Sequence, residues 1–242
     1  MTPPVANSVN TTTHCPTTEG IAAEFEFDSI EDAVRAFGEG KPVVVVDNED
    51  RENEGDLIFA ADLATSELMA FTIRHTSGYI CCSVDPERLD ALNLPLMVNE
   101  NRDPLRTQYT VTVDVIDGTS TGISAHDRCL TVRALADPRI SDPRAFRRPG
   151  HMLPLRPQPG GVLSRPGHTE AAYDLARLAN RFPAGVLCEL VNDDGSMKRR
   201  DDCKAFAQDH GLKMISIRNL AHHIKALNNS NNKSAAVYDS CP

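Results

Sequence analysis

The sequence predicts an α+β fold, in which helices cover a mixed sheet within a single compact domain. Helical and strand patterns alternate along a chain of 242 residues, which is the length of one ordinary domain. The uninterrupted apolar run Val43-Val44-Val45-Val46 indicates a strand that is buried on both faces. Apolar and polar side chains mostly alternate over residues 109–116, which is typical of a strand with one exposed face. These observations favour a mixed sheet of at least six strands.

Helices are predicted where apolar residues recur at helical spacing between a capping residue and a glycine or another stop signal. The predicted helices begin after Ser29, after Thr65 or Ser66, at Ala125, at about Thr169, after Asp201 and at Leu220. They end before Gly38, near Gly78, at Leu135, at about Phe182, before Gly211 and at Leu227. The predicted strands cover 43–46, 57–60, 79–84, 109–116, 185–191 and 213–217. The proline-rich segment 136–166 cannot be mostly helical, because proline lacks a backbone donor and breaks helices.

The composition changes towards both ends of the chain. Residues 1–20 are rich in Thr, Pro, Asn and Ser, and we expect them to form a disordered arm. Residues 228–242 are mostly polar, and we expect a flexible tail. The folded domain is therefore predicted to cover about 21–227, and we find no internal repeat or linker within it.

Charge and cysteine content argue against several functional classes. The 34 acidic and 25 basic residues give a net charge of −9, and a chain without a basic run is a poor nucleic-acid binder. No apolar run approaches about 18 residues, so no membrane-spanning helix is expected. The first basic residue is Arg35, which argues against a secretory or mitochondrial leader. Seven cysteines without a CxxC pair favour free thiols, and we expect a cytoplasmic protein.

The segment 47–56 carries six carboxylates in ten residues, directly after a predicted buried strand. Active-site loops of α/β folds often follow such strands. Repulsion between the carboxylates is costly unless a cation or an arginine offsets it, and hard oxygen donors suit Mg²⁺ or Mn²⁺. An EF-hand is excluded, because Ala61 would stand where a bidentate glutamate is required. The alternative to a metal site is a solvated acidic turn.

Residues 164–170 combine an arginine, a histidine and a predicted helix start. Thr169 is expected to cap the helix, whose first turn presents free N–H groups and the positive end of the helix dipole. Arg165 offers a planar guanidinium that fits phosphate, and His168 stands beside it. The segment predicts an anion site, and the alternative is an ordinary capped helix with a surface arginine.

Several isolated residues are further candidates. Glu189 is the only charged residue in the apolar run 186–191, so it must be paired, exposed on one face or functional. His151 is either structural or catalytic, and Cys81 is either a core residue or a reactive thiol. The loop 120–124 precedes a helix and could form a second phosphate site. Together these features predict a metal-assisted enzyme that acts on a small phosphorylated substrate, without specifying the reaction.

Five segments of the chain form a pattern that matches one known family. They are DRENEGD (50–56), STGISAHDR (120–128), GHMLPLRP (150–157), RPGHTEAA (165–172) and GVLCELVNDDG (185–195). In order and spacing they resemble 3,4-dihydroxy-2-butanone 4-phosphate synthase, a family of riboflavin biosynthesis. The resemblance covers the whole predicted domain. It implies a homodimeric α+β enzyme that converts D-ribulose 5-phosphate into L-3,4-dihydroxy-2-butanone 4-phosphate and formate. It also implies Mg²⁺ or Mn²⁺ as the cofactor, with one or two ions per site.

The same resemblance assigns roles to individual residues. Glu52 and His168 correspond to the metal ligands. The implied substrate-binding residues are Arg51, Glu52, Asp56, Arg165, Pro166, Gly167, His168, Thr169 and Glu189, among which Arg165 and Thr169 match the phosphate-binding positions. The implied catalytic residues are His151, Glu189 and Asp56. Thr121 and Ser124 are further candidates for phosphate or interface contacts.

Two other functions compete with this interpretation. One is another metal-dependent sugar-phosphate enzyme, such as an isomerase or a phosphatase. The other is a binding protein that has kept the fold and lost the activity, but all the implied ligands and acid/base residues are present. Some family members carry a fused GTP cyclohydrolase II domain, and because only a short polar segment follows the predicted domain, we expect a monofunctional enzyme.

Overall fold

The structure is a computed structural model that describes residues 26–238, with side chains described up to residue 230. At its centre lies one seven-stranded mixed sheet. The strands are β1 (Val43–Val46), β2 (Gly55–Ala60), β3 (Cys81–Val84), β4 (Val113–Val115), β5 (Phe146–Leu155), β6 (Ala184–Glu189) and β7 (Lys213–Ser216). Their order across the sheet is β4-β5-β3-β6-β2-β1-β7. The predicted α+β fold is confirmed.

Helices cover both faces of this sheet. The helices are α1 (Ile30–Gly38), α2 (Ser66–His75), α3 (Pro86–Ala91), α4 (Ala125–Leu135), α5 (His168–Leu178), α6 (Arg200–His210) and α7 (Ile217–Tyr238). Helices α1, α5 and α7 pack on one face, which we call the α5 face. Helices α2, α4 and α6 pack on the other, which we call the α6 face. Among residues 26–238, no helix combines the length and apolar character needed to cross a bilayer.

The run of four valines in β1 serves both faces at once. Val43 and Val45 pack against α1 and α5, whereas Val44 and Val46 pack against α6. All four are buried, because successive side chains of a strand point to opposite faces and both faces are covered here. The prediction of a doubly covered strand is therefore confirmed.

Two elements are absent from the sequence prediction. Strand β5 contains Pro149 and Pro154, and proline normally argues against an inner strand. The structure accommodates β5 between β4 and β3 with a register shift at Val113 and Asp114. Helix α3 begins after Asp85, whose side chain accepts from the backbone of Arg88. Conversely, only Val113–Val115 of the predicted strand 109–116 belongs to β4.

Helix boundaries also differ from prediction at the C-terminal end. Arg199, rather than Asp201, is the N-cap of α6, and its N–H donates to the side chain of Asp202 (3.1 Å). Helix α7 continues past Leu227 to Tyr238, since no glycine or proline interrupts the sequence there. It therefore enters the segment predicted as a tail. The predicted arm at 1–20 lies outside the described residues.

The sheet register places two carboxylates of the predicted site side by side. In the antiparallel pair of β2 and β6, Asp56 stands opposite Glu189. On its other side Asp56 stands opposite Val45 of β1. Asp56 and Glu189 have the same parity as Ile58 and Leu187, which pack on the α5 face. Both carboxylates therefore lie at the end of the sheet where α5 begins.

Candidate active site

The acidic loop between β1 and β2 folds around the buried carboxylate of Asp47. Its oxygens accept from the guanidinium of Arg51 and from the backbone N–H groups of Glu52 and Glu54, each at 2.9 Å. Arg51 also pairs with the carboxylate of Glu52. Arginine and backbone donors thus offset the repulsion expected from six neighbouring carboxylates. The sequence analysis did not single out Asp47, whose role depends on the folded turn.

His168 is held in a defined orientation beneath this loop. Its Nε2–H donates to the carbonyl oxygen of Val45 (3.2 Å). Its Nδ1 lies 3.4 Å from Oε2 of Glu52 and 3.8 Å from Oδ1 of Asp56. A backbone carbonyl on one ring nitrogen is the usual means of directing the other towards a metal ion. The structure therefore brings together the two predicted metal ligands, Glu52 and His168.

The electrostatic environment separates these groups into different charge states. Burial opposes ionisation of Glu52, but the neighbouring His168 and the charge of Arg51 outweigh it and lower the pKa of Glu52 to about 2. Burial raises the pKa of Asp56 well above its usual value, and the nearby charge of Glu189 adds to this rise. Burial alone would lower the pKa of His168, but the charges of Asp56 and Glu52 raise it overall.

The donor set fits a divalent cation. Asp47, Glu52 and His168 each offer one ligand atom, and these atoms lie within 4.8 Å of one another. Because the oxygens of Asp47 already accept three hydrogen bonds, we regard Glu52 and His168 as the primary ligands. The buried Oδ1 of Asp56 has no hydrogen-bond partner. A buried carboxylate oxygen without a hydrogen-bond partner destabilises the folded protein unless a cation or a substrate group interacts with it.

The guanidinium of Arg165 is fixed by three acceptors. It donates to Oε2 of Glu170 (2.6 Å), to Oγ1 of Thr107 (3.0 Å) and to the carbonyl oxygen of Leu105 (2.9 Å). These bonds use three of its five N–H groups. The remaining two donors are available to a ligand, so Arg165 can hold an anion without moving.

The start of α5 completes a cationic end of the site. Helix α5 begins at His168 with Gly167 as its N-cap, so the prediction that Thr169 caps the helix is wrong. Thr169 is instead buried within the first turn. A Cβ atom at Gly167 would overlap Nη1 of Arg165 and lie 2.9 Å from Nη2 of Arg51. Glycine therefore allows both guanidinium groups to approach the helix start, where anions bind favourably.

Glu189, at the end of β6, is held by Ser77 beside Asp56. Its Oε2 accepts from the hydroxyl of Ser77 (2.7 Å), and its backbone carbonyl accepts from the N–H of Ser77 (2.8 Å). Its opposite neighbour in the sheet is Asp56. Glu189 is thus neither buried alone nor ion-paired, which leaves its carboxylate available for acid/base chemistry.

His151 belongs to a separate arrangement on β5. Its Nδ1 lies 2.7 Å from Oδ2 of the buried Asp114, and its backbone N–H donates to the other oxygen of that carboxylate (2.8 Å). The loop that contains Thr121 covers this pair, because a Cβ atom at Gly122 would lie 2.6 Å from Nδ1 of His151. Ser124 caps α4 by accepting from a backbone N–H, which is a structural role.

One pocket gathers most of the predicted site. It is lined by Arg51, Glu52, Asp56, Cys81, Thr107, Tyr109, Leu155, Arg165, His168, Thr169, Leu187 and Glu189. Pro166, Gly167 and His151 do not line it. The sequence analysis missed Thr107 and Tyr109, which lie in a segment without a recognisable chemical pattern. Cys81 is a buried core residue, and burial raises its pKa well above the usual value, which favours the core role over a reactive thiol.

A pocket whose ionisable side chains have strongly shifted pKa values, within one α+β domain, is typical of an enzyme that acts on a small charged molecule. Comparison with known proteins identifies its family. The family model of 3,4-dihydroxy-2-butanone 4-phosphate synthase matches residues 31–223, and the chain belongs to this family. The family predicted from the five sequence segments is therefore confirmed, and the alternative sugar-phosphate enzymes are not favoured.

Individual relatives agree with this assignment. A 3,4-dihydroxy-2-butanone 4-phosphate synthase of Schizosaccharomyces pombe is 55% identical over 198 residues, which cover 81% of this chain and 97% of the relative. The chain also matches the riboflavin biosynthesis protein RibBA of Salinispora arenicola with 58% identity, over 80% of this chain. It spans about half of that longer protein, 46% of its length.

Solved structures agree with the fold. A 3,4-dihydroxy-2-butanone 4-phosphate synthase in complex with two magnesium ions superposes with a TM-score of 0.80 and 49% identity. This match covers 83% of the present chain and 98% of the other. A synthase from Candida albicans gives a TM-score of 0.76 and 52% identity, over 82% of the present chain and 98% of the other.

Proposed function

We propose that the chain converts D-ribulose 5-phosphate into L-3,4-dihydroxy-2-butanone 4-phosphate and formate, as a carbon–carbon lyase of riboflavin biosynthesis. The observation that carries the proposal is the convergence of three kinds of group on one pocket in a chain of this family. They are the candidate metal ligands, the paired carboxylates of Asp56 and Glu189, and the two arginines at the start of α5.

Glu52 and His168 are the proposed ligands of Mg²⁺ or Mn²⁺, with one or two ions per site. The fixed Nδ1 of His168 and the ionised carboxylate of Glu52 support this assignment. A related structure was solved with two magnesium ions and another without a cation. When bound, a divalent ion supplies Lewis acidity that stabilises the charge developing on the substrate's carbonyl and hydroxyl oxygens.

The cationic end of the pocket is the proposed phosphate site. Arg165 keeps two unused N–H groups there, and the first turn of α5, which includes His168 and Thr169, presents free backbone donors. Pro166 and Gly167 form the turn that brings Arg165 to this helix start. Arg51 approaches the same side of Gly167 as Arg165 does, and joins the phosphate end to the acidic loop.

Asp56, Glu189 and His151 are the proposed acid/base residues. The reaction requires several proton transfers, so several groups with different pKa values should surround one substrate. The raised pKa of Asp56 lets it hold a proton near neutral pH, while Glu189 stands opposite it on β6. His151 lies on β5, which is two strands away from β6, so ordinary strand spacing separates the backbones of these two strands by about 10 Å.

A homodimer is part of the proposal. The half-exposed His151 does not line the pocket of its own chain. Two exposed apolar side chains lie in neighbouring segments: Tyr79 directly precedes β3, the strand next to β5, and Ile123 directly follows Gly122. Apolar residues grouped at a surface with a functional side chain are typical of an interface. A second subunit would cover this surface.

Formate release from D-ribulose 5-phosphate tests the proposal directly. We expect the wild type to release formate with Mg²⁺ and to release none after EDTA treatment. We expect Glu52→Gln to release none at the Mg²⁺ concentrations that activate the wild type. The matched control is Glu100→Gln, which removes an exposed carboxylate that does not line the pocket and pairs with Arg102 alone among the described ion pairs, and it should keep wild-type activity. A folded wild-type protein that binds Mg²⁺ but releases no formate would contradict the proposed reaction.

A further inference from the structure

The N-terminus of α6 is tied to the backbone of the acidic loop by a single arginine. Nη1 of Arg199 donates to the carbonyl oxygen of Glu52 at 3.1 Å and to that of Asn53. Two consecutive carbonyl groups therefore converge on one cation. Arg199 itself is exposed and does not line the pocket, so it cannot contact a substrate there.

The held peptide has an unusual conformation. Asn53 has a φ of 54°, in the left-handed region that asparagine tolerates better than most residues. This turn directs the carbonyl oxygens of Glu52 and Asn53 outwards to α6. The side chain of Glu52 points the other way, towards Nδ1 of His168. The carbonyl contact and the carboxylate position of Glu52 are therefore linked through one Cα atom.

Other contacts hold the rest of the loop independently of Arg199. The carboxylate of Asp47 accepts from the loop's own backbone, as described above. Arg200 pairs with Glu49 at the loop tip (2.8 Å), and Cys203 packs beneath Gly55. Helix α6 is anchored on the sheet by the buried Cys203 and Phe206. Loss of Arg199 would therefore leave the loop and helix folded, with the N–H of Glu52 still bonded to Asp47 and its carboxylate to Arg51. The carbonyl oxygens of Glu52 and Asn53 would lose their partner among the described contacts.

We propose that Arg199 is a positioning residue for the metal site, which sets the carboxylate of Glu52 against Nδ1 of His168. This inference rests on the proposed function, in which Glu52 and His168 bind the cation. Without Arg199 the carbonyl groups of Glu52 and Asn53 are no longer held, so the peptide after Glu52 can rotate about the fixed N–H and shift the carboxylate relative to His168. The cation then loses one properly placed ligand. Residues that orient metal ligands typically contribute about 10- to 100-fold to metal affinity.

Direct Mn²⁺ binding, measured by the electron paramagnetic resonance signal of the free ion, tests this role without reference to activity. We expect Arg199→Ala to bind Mn²⁺ about 10- to 100-fold more weakly than the wild type. Arg199→Lys should recover part of the affinity, because an ammonium group reaches one carbonyl but lacks the guanidinium fork. The control Arg144→Ala removes an exposed arginine that pairs only with Asp142 in the described contacts, and should bind as the wild type does.

Activity and stability complete the test. With saturating metal, kcat of Arg199→Ala should return close to the wild-type value, while the metal concentration for half-maximal activity rises in step with the binding defect. The melting temperature without metal should stay near that of the wild type. A large drop in that temperature, or a low kcat with unchanged Mn²⁺ affinity, would overturn the positioning role.

Glu52→Gln separates this inference from the proposed function. If the wild type binds no Mn²⁺, or binds it as weakly as Glu52→Gln does, the proposed metal site itself fails. If Glu52→Gln weakens binding and Arg199→Ala does not, the metal site stands and the role of Arg199 is overturned.

Discussion

The carboxylate of Asp114 holds His151 by both of its oxygens, one on the ring nitrogen Nδ1 and one on the backbone N–H. The two residues lie on neighbouring strands, β4 and β5, and Asp114 is buried whereas His151 is half-exposed. Because Nδ1 is engaged with Asp114, Nε2 is the ring nitrogen left for the acid/base role proposed for His151.

Replacing Asp114 should therefore damage catalysis. A histidine acid/base contributes about 10²- to 10⁴-fold to rate, and Asp114→Asn should lose about tenfold or more of kcat, because a neutral amide cannot stabilise the imidazolium. Steady-state formate release measures the loss. Mn²⁺ affinity should not change, since Asp114 contacts neither of the proposed metal ligands, Glu52 and His168, in the described contacts. Asp117→Asn, on the exposed turn after β4, is the matched control, and equal activity of both variants would refute the role of Asp114.

The pH dependence of stability should reveal the buried carboxyl of Asp174. Burial raises its pKa to about 6 from 3.8, although the N–H of Val162 (2.8 Å) and the charge of Arg177 oppose the rise. Between these two pH values the native state keeps a proton that the unfolded chain has lost. The free energy of unfolding should therefore fall as pH rises through this window, by roughly 3 kcal/mol for this group.

Asp174→Asn isolates that contribution, because the amide oxygen can still accept from Val162 but carries no charge. Urea unfolding of both proteins between pH 4 and pH 7 should give curves that diverge as pH rises, with the variant becoming relatively more stable. Parallel curves would show that the carboxyl of Asp174 is already ionised throughout this range.

Gly55 at the start of β2 should not tolerate a larger side chain. A Cβ atom there would overlap Sγ of Cys203 and lie 3.1 Å from Cγ1 of Val46. Overpacking of this kind typically costs about 1–3 kcal/mol, and we expect Gly55→Ala to be less stable by that amount. Adding Cys203→Ala to Gly55→Ala should restore part of the loss, as measured by chemical unfolding. Simple additivity of the two changes would disprove the contact.

Cys81 should be inert to thiol reagents in the native protein. It is buried between β6 and β5, where burial disfavours the reactive thiolate. Peptide-resolved labelling with iodoacetamide should modify Cys81 only after unfolding in guanidinium chloride. Rapid native labelling at this residue would mean that the pocket opens deeply enough to expose it.

The sequence predicted those parts of the fold that depend on local patterns. Ser29 caps α1, Gly211 ends α6, and the run of valines forms a doubly covered strand, because each of these features is determined by neighbouring residues. Strand β5 escaped prediction because Pro149 and Pro154 give a local signal against a strand. Pairing with β3 and β4 outweighs that signal.

The same distinction applies to the candidate site. The acidic loop and the segment around His168 are contiguous motifs, so most of the residues that line the pocket could be proposed from sequence. Asp114 could not, since its contact with His151 joins residues 37 positions apart through an irregular strand pairing. Arg199 lies even further from Glu52 along the chain, and its contact is with backbone atoms that no residue pattern marks.

Asp56 and Glu189 face each other across β2 and β6, so the candidate site depends on the length of these strands as much as on the identity of the two residues. Their neighbours Leu57 and Cys188 are apolar and face the other side of the sheet. Deletion of one apolar residue of β2, such as Ile58, would retain every carboxylate in the sequence, yet the shifted register would turn Asp56 into the apolar layer and Leu57 towards the candidate site. Insertions and deletions that preserve the enzyme are thus confined to the loops between strands.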